Sequence, residues 1–215
     1  MKTFNDVPKD EHEGHRIAYE LAKESLGKLD IKLQCELAGA QLVEAEQKVS
    51  LNLLGDVYEI SLPDCDVRCV TDEGAPIHLK ILALHYLAQA SGKPLTDRLI
   101  DFRELPGGIA YHVSFDSRVK KLLLSVFGDD DGSKLREAAK KLGAEDVNYG
   151  DVGLRIWALP RVPIIIAFWA ADEEMPASIS ILFDSSISSY LTTEDVAVLG
   201  EHLAEKLVAA AKPKM

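Results

Sequence analysis

Apolar positions along the chain follow two periods. From about Glu11 to Leu29, Ile17, Leu21 and Leu26 recur near helical spacing and Gly27 is a weak stop, which predicts a helix. The period then shortens. Val49–Leu54 and Val57–Leu62 read as strands flanking Gly55-Asp56, a type II′ hairpin signal, because glycine at the first turn position accepts a positive φ. Pro63 stops the second strand. Gly74-Ala75-Pro76 opens the next helix, around Ile77–Ala90. It is apolar nearly all round at Ile77, Leu79 and Ile81 to Leu87, so it is expected to be buried on most sides. Ser91-Gly92-Lys93-Pro94 closes it.

The second half opens on a loop at Phe102–Gly108, marked by Pro106-Gly107-Gly108. A short strand is expected at Ile109–Phe115, then helices near Asp116–Phe127 and Ser133–Leu142, with Gly143 ending the second. Gly153–Leu159 and Ile164–Ala170 form the clearest hairpin, around Pro160-Arg161-Val162-Pro163, and Ser178–Phe183 should lie beside it. A last helix runs from Thr193 to about Ala211. Thr192 and Asp195 make a capping box there, and Val196, Leu199, Leu203 and Leu207 form an apolar stripe. No linker, repeat or low-complexity tract divides the chain. The reading is one α+β domain over residues 1–215, with a loose tail over 1–10 and an antiparallel or mixed sheet with helices packed on it.

Composition narrows the function classes. The 215 residues are 47% hydrophobic and 27% charged, ordinary globular values, and the formal net charge is −11. That field repels phosphate backbones and anionic lipid, so nucleic-acid and membrane partners are disfavoured. A small ligand or a basic protein remains. Met1–Glu13 lacks the pattern of a secretory signal, and the longest apolar stretch, Ile164–Ala171, is too short to span a bilayer. Three cysteines, Cys35, Cys65 and Cys69, fit a reducing cytoplasm, and a soluble cytoplasmic protein is expected.

Several chemical signatures fail on spacing. Three dispersed thiols fall short of a zinc or iron–sulfur ligand set. His12-Glu13 and His15 miss the i, i+4 spacing of a zinc protease, and Asp10, His12 and Gly14 miss a corrinoid-binding signature by one place. Asp129-Asp130-Asp131-Gly132 lacks the alternation of a calcium loop. No dinucleotide, P-loop or serine-elbow motif is present. His78 and His85 stand two helical turns apart. Together they suit a metal or the face of a tetrapyrrole, or else one is hydrogen-bonded and the other partly exposed; His112 is a third of the same kind.

Two loops concentrate the rest of the chemistry. Gly107-Gly108 permits close backbone approach to a ligand, with N–H groups to spare beside Arg103. Asp172-Glu173-Glu174 crowds three carboxylates next to Trp169, and a cation, an arginine or a polar ligand would relieve them. Arg103 and Arg161 are the internal candidates. The two loops are expected to converge at one end of the sheet, as a binding site or as a structural clasp.

Phe102-Arg103-Glu104-Leu105-Pro106-Gly107-Gly108, Gly150-Asp151, Trp169 to Pro176, Ile181 to Ser186, Tyr190-Leu191 and Glu194-Asp195 together resemble a bacterial and archaeal family known only as domain of unknown function family 3786. The likeness runs from about Arg16 onward. It implies an anaerobic setting and, through that setting, corrinoid or other tetrapyrrole metabolism. Some relatives carry an added cysteine-rich iron–sulfur module, which this chain lacks. Three functions compete. The first is a non-enzymatic accessory protein for a bulky cofactor, with Phe102, Tyr111 and Trp169 as apolar faces and Arg103, Gly107 and Gly108 holding polar edges. The second is an enzyme using Glu104 or an acidic-turn carboxylate as acid or base. The third is an interaction module whose negative face docks a basic partner.

Overall fold

Two antiparallel sheets organise the protein, which is known from a computed structural model describing residues 9–212, with side chains from Glu13 onward. Helices α1 (Lys9–Gly27) and α2 (Ile31–Ala38) lead into a meander of β1 (Gln41–Val43), β2 (Lys48–Leu53), β3 (Asp56–Ser61) and β4 (Asp66–Cys69). Helix α3 (Ile77–Gln89) follows. The second sheet has the order β5-β9-β8-β7-β6, from β5 (Leu99–Asp101), β6 (Glu145–Val147), β7 (Val152–Leu159), β8 (Val162–Trp169) and β9 (Ser178–Asp184). Between β5 and β6 come α4 (Gly108–Arg118), α5 (Lys120–Phe127) and α6 (Ser133–Lys140); α7 (Thr193–Ala211) follows β9. The α+β reading holds, with two antiparallel sheets in place of one.

The expected hairpin and third strand are adjacent: Ile166 pairs with Leu154 on one side and Ile181 on the other. Ile164, Ile166 and Phe168 of β8 are fully buried, and α5 and α6 pack on the flanking strands β9 and β7. Helix α7 lies on α4, α5 and α6 and also reaches α3, which in turn packs on α1. One core of buried residues therefore runs from the second sheet through α7 and α3 to the first sheet. The sheets meet at the β2–β3 turn, where the Leu54 N–H donates to the Ala158 carbonyl at 2.8 Å and the Lys206 ammonium reaches the Leu54 carbonyl at 3.0 Å and Asp56 at 2.7 Å.

Five expectations are corrected. The β2–β3 turn is Leu54-Gly55 rather than Gly55-Asp56, since Leu53 pairs with Asp56. Both turn residues have positive φ, 49° and 85°, so the hairpin is type I′, and the Ala158 bond helps hold Leu54 in a conformation its side chain disfavours. The β7–β8 turn is the pair Pro160-Arg161; Pro163 lies inside β8, opposite Trp157 and next to a register shift, the kind of irregularity at which a strand tolerates proline. Ile109–Phe115 is helical, within α4. The expected helix from Asp116 breaks at Val119 into α4 and α5. In α1 the buried residues are Ala22 and Leu26, while Ile17 and Leu21 face solvent. Helix α1 also begins at Lys9, inside the expected tail; residues 1–8 and the His12 side chain lie outside the described residues. Among the described residues no helix is long and apolar enough to cross a membrane.

Candidate functional site

The Pro-Gly-Gly loop begins as a single 3-10 turn, Phe102–Glu104, closed by a capping box. The Asp101 carboxylate accepts from the Arg103 N–H at 2.7 Å, and Glu104 accepts from the Asp101 N–H at 3.1 Å. Arg103 turns back to the same Asp101 through Nε and Nη2, at 2.9 and 2.6 Å, which holds the Asp101 carboxyl below the usual range. Glu104 also meets Arg98 at 3.3 Å. Gly107, at φ 76°, is the N-cap of α4. Gly108 explains the second glycine: a Cβ there would lie 2.0 Å from the Phe102 carbonyl oxygen. The close approach at Gly108 is thus to the protein's own backbone, and Gly107 has open space around it.

In the acidic turn, Asp172 accepts from the N–H groups of Glu174 and Met175 at 2.8 and 2.7 Å, and these bonds lower its pKa. Among the described residues, Asp172, Glu173 and Glu174 make no ion pair. Arg161 is far from them, in the β7–β8 turn at the opposite end of β8. The strand register points β5 toward the end of the sheet that carries the acidic turn: it runs from Leu99, opposite Asp184, to Asp101, opposite Leu182 in the middle of β9. Yet no described hydrogen bond or ion pair joins the two loops, and the acidic neighbour of Arg103 is Asp101. Trp169 ends β8, 40% exposed.

Beside the Gly-Gly loop, between α4 and the first half of α7, lies a groove of about 370 Å³. Two of the expected site residues, Phe102 and Tyr111, line it. The buried Phe102 ring stacks on Phe115 at 4.1 Å between centroids and 7° between planes, and this pair makes an aromatic floor. Ala197 and Val198 of α7 form the facing wall. Arg118 and Glu201 close one end with a 2.9 Å ion pair, while Thr193 and Glu194 stand at the other. The Thr193 hydroxyl donates to the Pro106 carbonyl at 2.7 Å, tying the Pro-Gly-Gly loop to α7. Sequence reading missed the groove because α4 passed for a strand. As a helix it brings Tyr111, Phe115 and Arg118 onto one face by their i, i+4, i+7 spacing.

The histidines do not join this site. His85 Nδ1 lies 2.8 Å from Asp195 Oδ1, and that bond raises its pKa. Burial, and next the charge of His15, lower the pKa of His78. His112 bonds the Ile109 carbonyl within its own helix. His202, on α7, is pushed down to about 4 by burial, and its Nε2 has no partner among the described residues. Nor do the described residues bring three His, Cys, Asp or Glu side chains together as a metal would need. Cys35, Cys65 and Cys69 are buried free thiols, and burial pushes Cys35 up to about 11, far from a reactive thiolate.

Comparison with known proteins agrees with the resemblance. The chain belongs to the family described as domain of unknown function (DUF3786), whose model matches residues 30–206. That span includes both sheets, α4 and the groove-lining part of α7. No curated protein and no solved structure matches the chain.

Proposed function

We propose that this family member is a non-enzymatic binding protein, and that its ligand is a small molecule with a flat apolar body held in the α4–α7 groove. The supporting observation is the groove itself. Its aromatic floor and apolar wall offer a hydrophobic bed, and its polar groups stand at the two ends, the usual division between affinity and orientation in a ligand site. The volume of about 370 Å³ is toward the lower end of the roughly 300–1,000 Å³ range of such sites. A corrinoid or other tetrapyrrole, the cofactor the family setting favours, would be held by one face or edge only. No histidine or cysteine is among the described residues that line the groove, so none of them gives such a ring an imidazole or thiolate as axial ligand.

The test is a visible absorbance spectrum and mass spectrum of protein purified anaerobically from its own host, beside the Tyr111→Ala variant. A small molecule that co-purifies with the wild type and is lost from the variant is the expected result. Retention by the variant would move the site elsewhere, and bare protein in both would remove the reading.

A second reading, docking of a protein partner, is favoured by one observation. Ile109, Tyr111 and Val113 of α4 are 74%, 65% and 69% exposed; Tyr111 lines the groove, and Ile109 and Val113 lie on the other side of the same helix. With a net charge of −11, a basic partner is the electrostatic fit. Amide exchange of α4 slowed by an added basic protein, and unaffected by small molecules, would favour this reading.

A further inference from the structure

The first turn of α7 is held from two sides. On one side the Thr193 hydroxyl reaches the Pro106 carbonyl. On the other, Asp195, buried beneath the turn, accepts from the Thr192 hydroxyl at 2.6 Å and the Thr192 N–H at 3.1 Å, with His85 of α3 at 2.8 Å. Asp195 therefore serves both as half of the capping box and as the anchor for an imidazole on another helix. The same turn carries Thr193 and Glu194, which end the groove, and Ala197 and Val198 follow as its wall.

We propose that His85 is a protonation-sensitive positioning residue for the groove, fixing the first turn of α7 to the buried helix α3. Its Nδ1 hydrogen bond to a buried carboxylate is also an ion pair when the ring is protonated, whereas the neutral ring keeps only the N–H to carboxylate bond, so protonation strengthens the contact. Among the described residues, the charged groups acting on His85 are Asp195 and Glu194, both carboxylates of α7, and none comes from α1, α2 or β4, the other elements packed on α3. The bond to Asp195, then the two carboxylate charges, outweigh burial and raise the pKa of His85. A raised folded-state pKa means that the contribution is complete below the ordinary imidazole value of about 6.5 and fades as pH rises through the lifted value. The turn is accordingly firmest in mildly acidic solution. The link from His85 to a ligand rests on the groove reading above.

The decisive measurement is hydrogen exchange in the ligand-free protein. Amides from Val196 to Leu199 are compared at about pH 5.5 and about pH 8, corrected for intrinsic exchange, in wild type and His85→Gln. Glutamine keeps a neutral donor toward Asp195, whereas changing Asp195 would remove the helix cap as well. The wild type should show protection about threefold higher at the lower pH, from the stronger bond, and H85Q should show no such change. Equal pH responses in the two proteins would overturn the role of His85. The apolar dye anilinonaphthalene sulfonate then probes the groove. Its affinity should follow pH in the wild type, lose that response in H85Q, and be lost in Tyr111→Ala. Equal dye binding by wild type and Y111A would defeat the groove reading while leaving the exchange result to judge His85. A pH response of the dye unchanged in H85Q, despite altered exchange, would sever His85 from the groove.

Discussion

Helices α3 and α4 both carry bulky apolar side chains at short intervals, and the fold uses them in opposite ways. Helix α3 is packed by α1, α2, α7 and β4, and it buries Leu79, Ile81, Leu82, Ala83, Leu84, Tyr86 and Leu87. Helix α4 rests on α5, α7 and its own preceding loop, and it buries only Gly108 and Phe115, while Ile109, Tyr111 and Val113 face water. An apolar pattern records a core only where a core surrounds the element. Around α3 the pattern is nearly continuous because every face has a neighbour. Along α4 the apolar residues alternate, which imitates a strand, because Ile109, Tyr111 and Val113 answer to no core and only Phe115 does. What α4 presents outward is a surface, and surfaces that keep large apolar groups are commonly surfaces that meet something.

The sharpest way to break the contrast is to place one charge in the well-packed helix. Leu84 is completely buried. Leu84→Asp should cost about 4 kcal/mol or more, the penalty of a carboxylate in an apolar site with no partner. Urea unfolding measures it, and a midpoint near that of the wild type would mean that α3 is not the buried centre described.

Next come the two glycines that start α4, which differ from each other in kind. Gly108→Ala puts a methyl against the Phe102 carbonyl, a backbone atom that cannot rotate away, so about 2 kcal/mol or more is expected. Gly107→Ala has open space around it and strains only the backbone at φ 76°, which costs about 1 kcal/mol. Thermal melts of the pair give the order. The reverse order would mean that the loop relaxes and that Gly108 is free for a ligand after all.

Legibility from sequence follows the same physics. Helix α7 was readable end to end, because a capping box marks its start and a single stripe, Val196, Leu199, Leu203 and Leu207, faces the core. The hairpin β7–β8 and strand β9 were readable because β8 is a continuous apolar run and β7 and β9 each set a buried apolar face against a more polar one. Helix α2 was missed although Asp30 caps it and Gly39 ends it at φ 70°, since eight residues give too few turns for a period. Strands β1, β5 and β6 have three residues each and leave no alternation to detect. The β2–β3 turn was misplaced by one residue because Leu54 accepts a left-handed conformation beside the Ala158 carbonyl, a contact between sheets that no local rule contains. For the site, the loop at Phe102–Gly108 could be found from its composition. The groove beside it needed α4 to be recognised as a helix, and the Ala197–Val198 face of α7 to be noticed beside its core stripe.

A smaller effect is expected at Arg103, where the contrast lies between a loop that grips itself and one that grips a partner. Its guanidinium is largely exposed and bonded to Asp101 two residues away. Arg103→Ala should therefore leave the urea midpoint close to that of the wild type, as for other solvated ion pairs. A double-mutant cycle of Arg103→Ala with Glu173→Ala in urea should give additive effects. Coupling between them would show that the two loops do clasp each other in solution.

The smallest effect belongs to the outward face of α4. Ile109 and Val113 lie one turn apart, and neither is covered. The double change Ile109→Ser, Val113→Ser removes apolar surface that folding does not bury, and serine differs little from isoleucine or valine in helix propensity. Stability should change by under about 0.5 kcal/mol, within the range of ordinary surface substitutions. That near-silence gives the variant its use. Because the fold is expected to be indifferent to these side chains, any change in sedimentation, in dye binding or in retention of a co-purifying molecule reports on contacts outside the chain. A stability loss approaching that of Leu84→Asp would mean instead that α4 is packed against something the chain itself supplies. The difference between α3 and α4 would then be one of neighbours yet unseen rather than of surface and core.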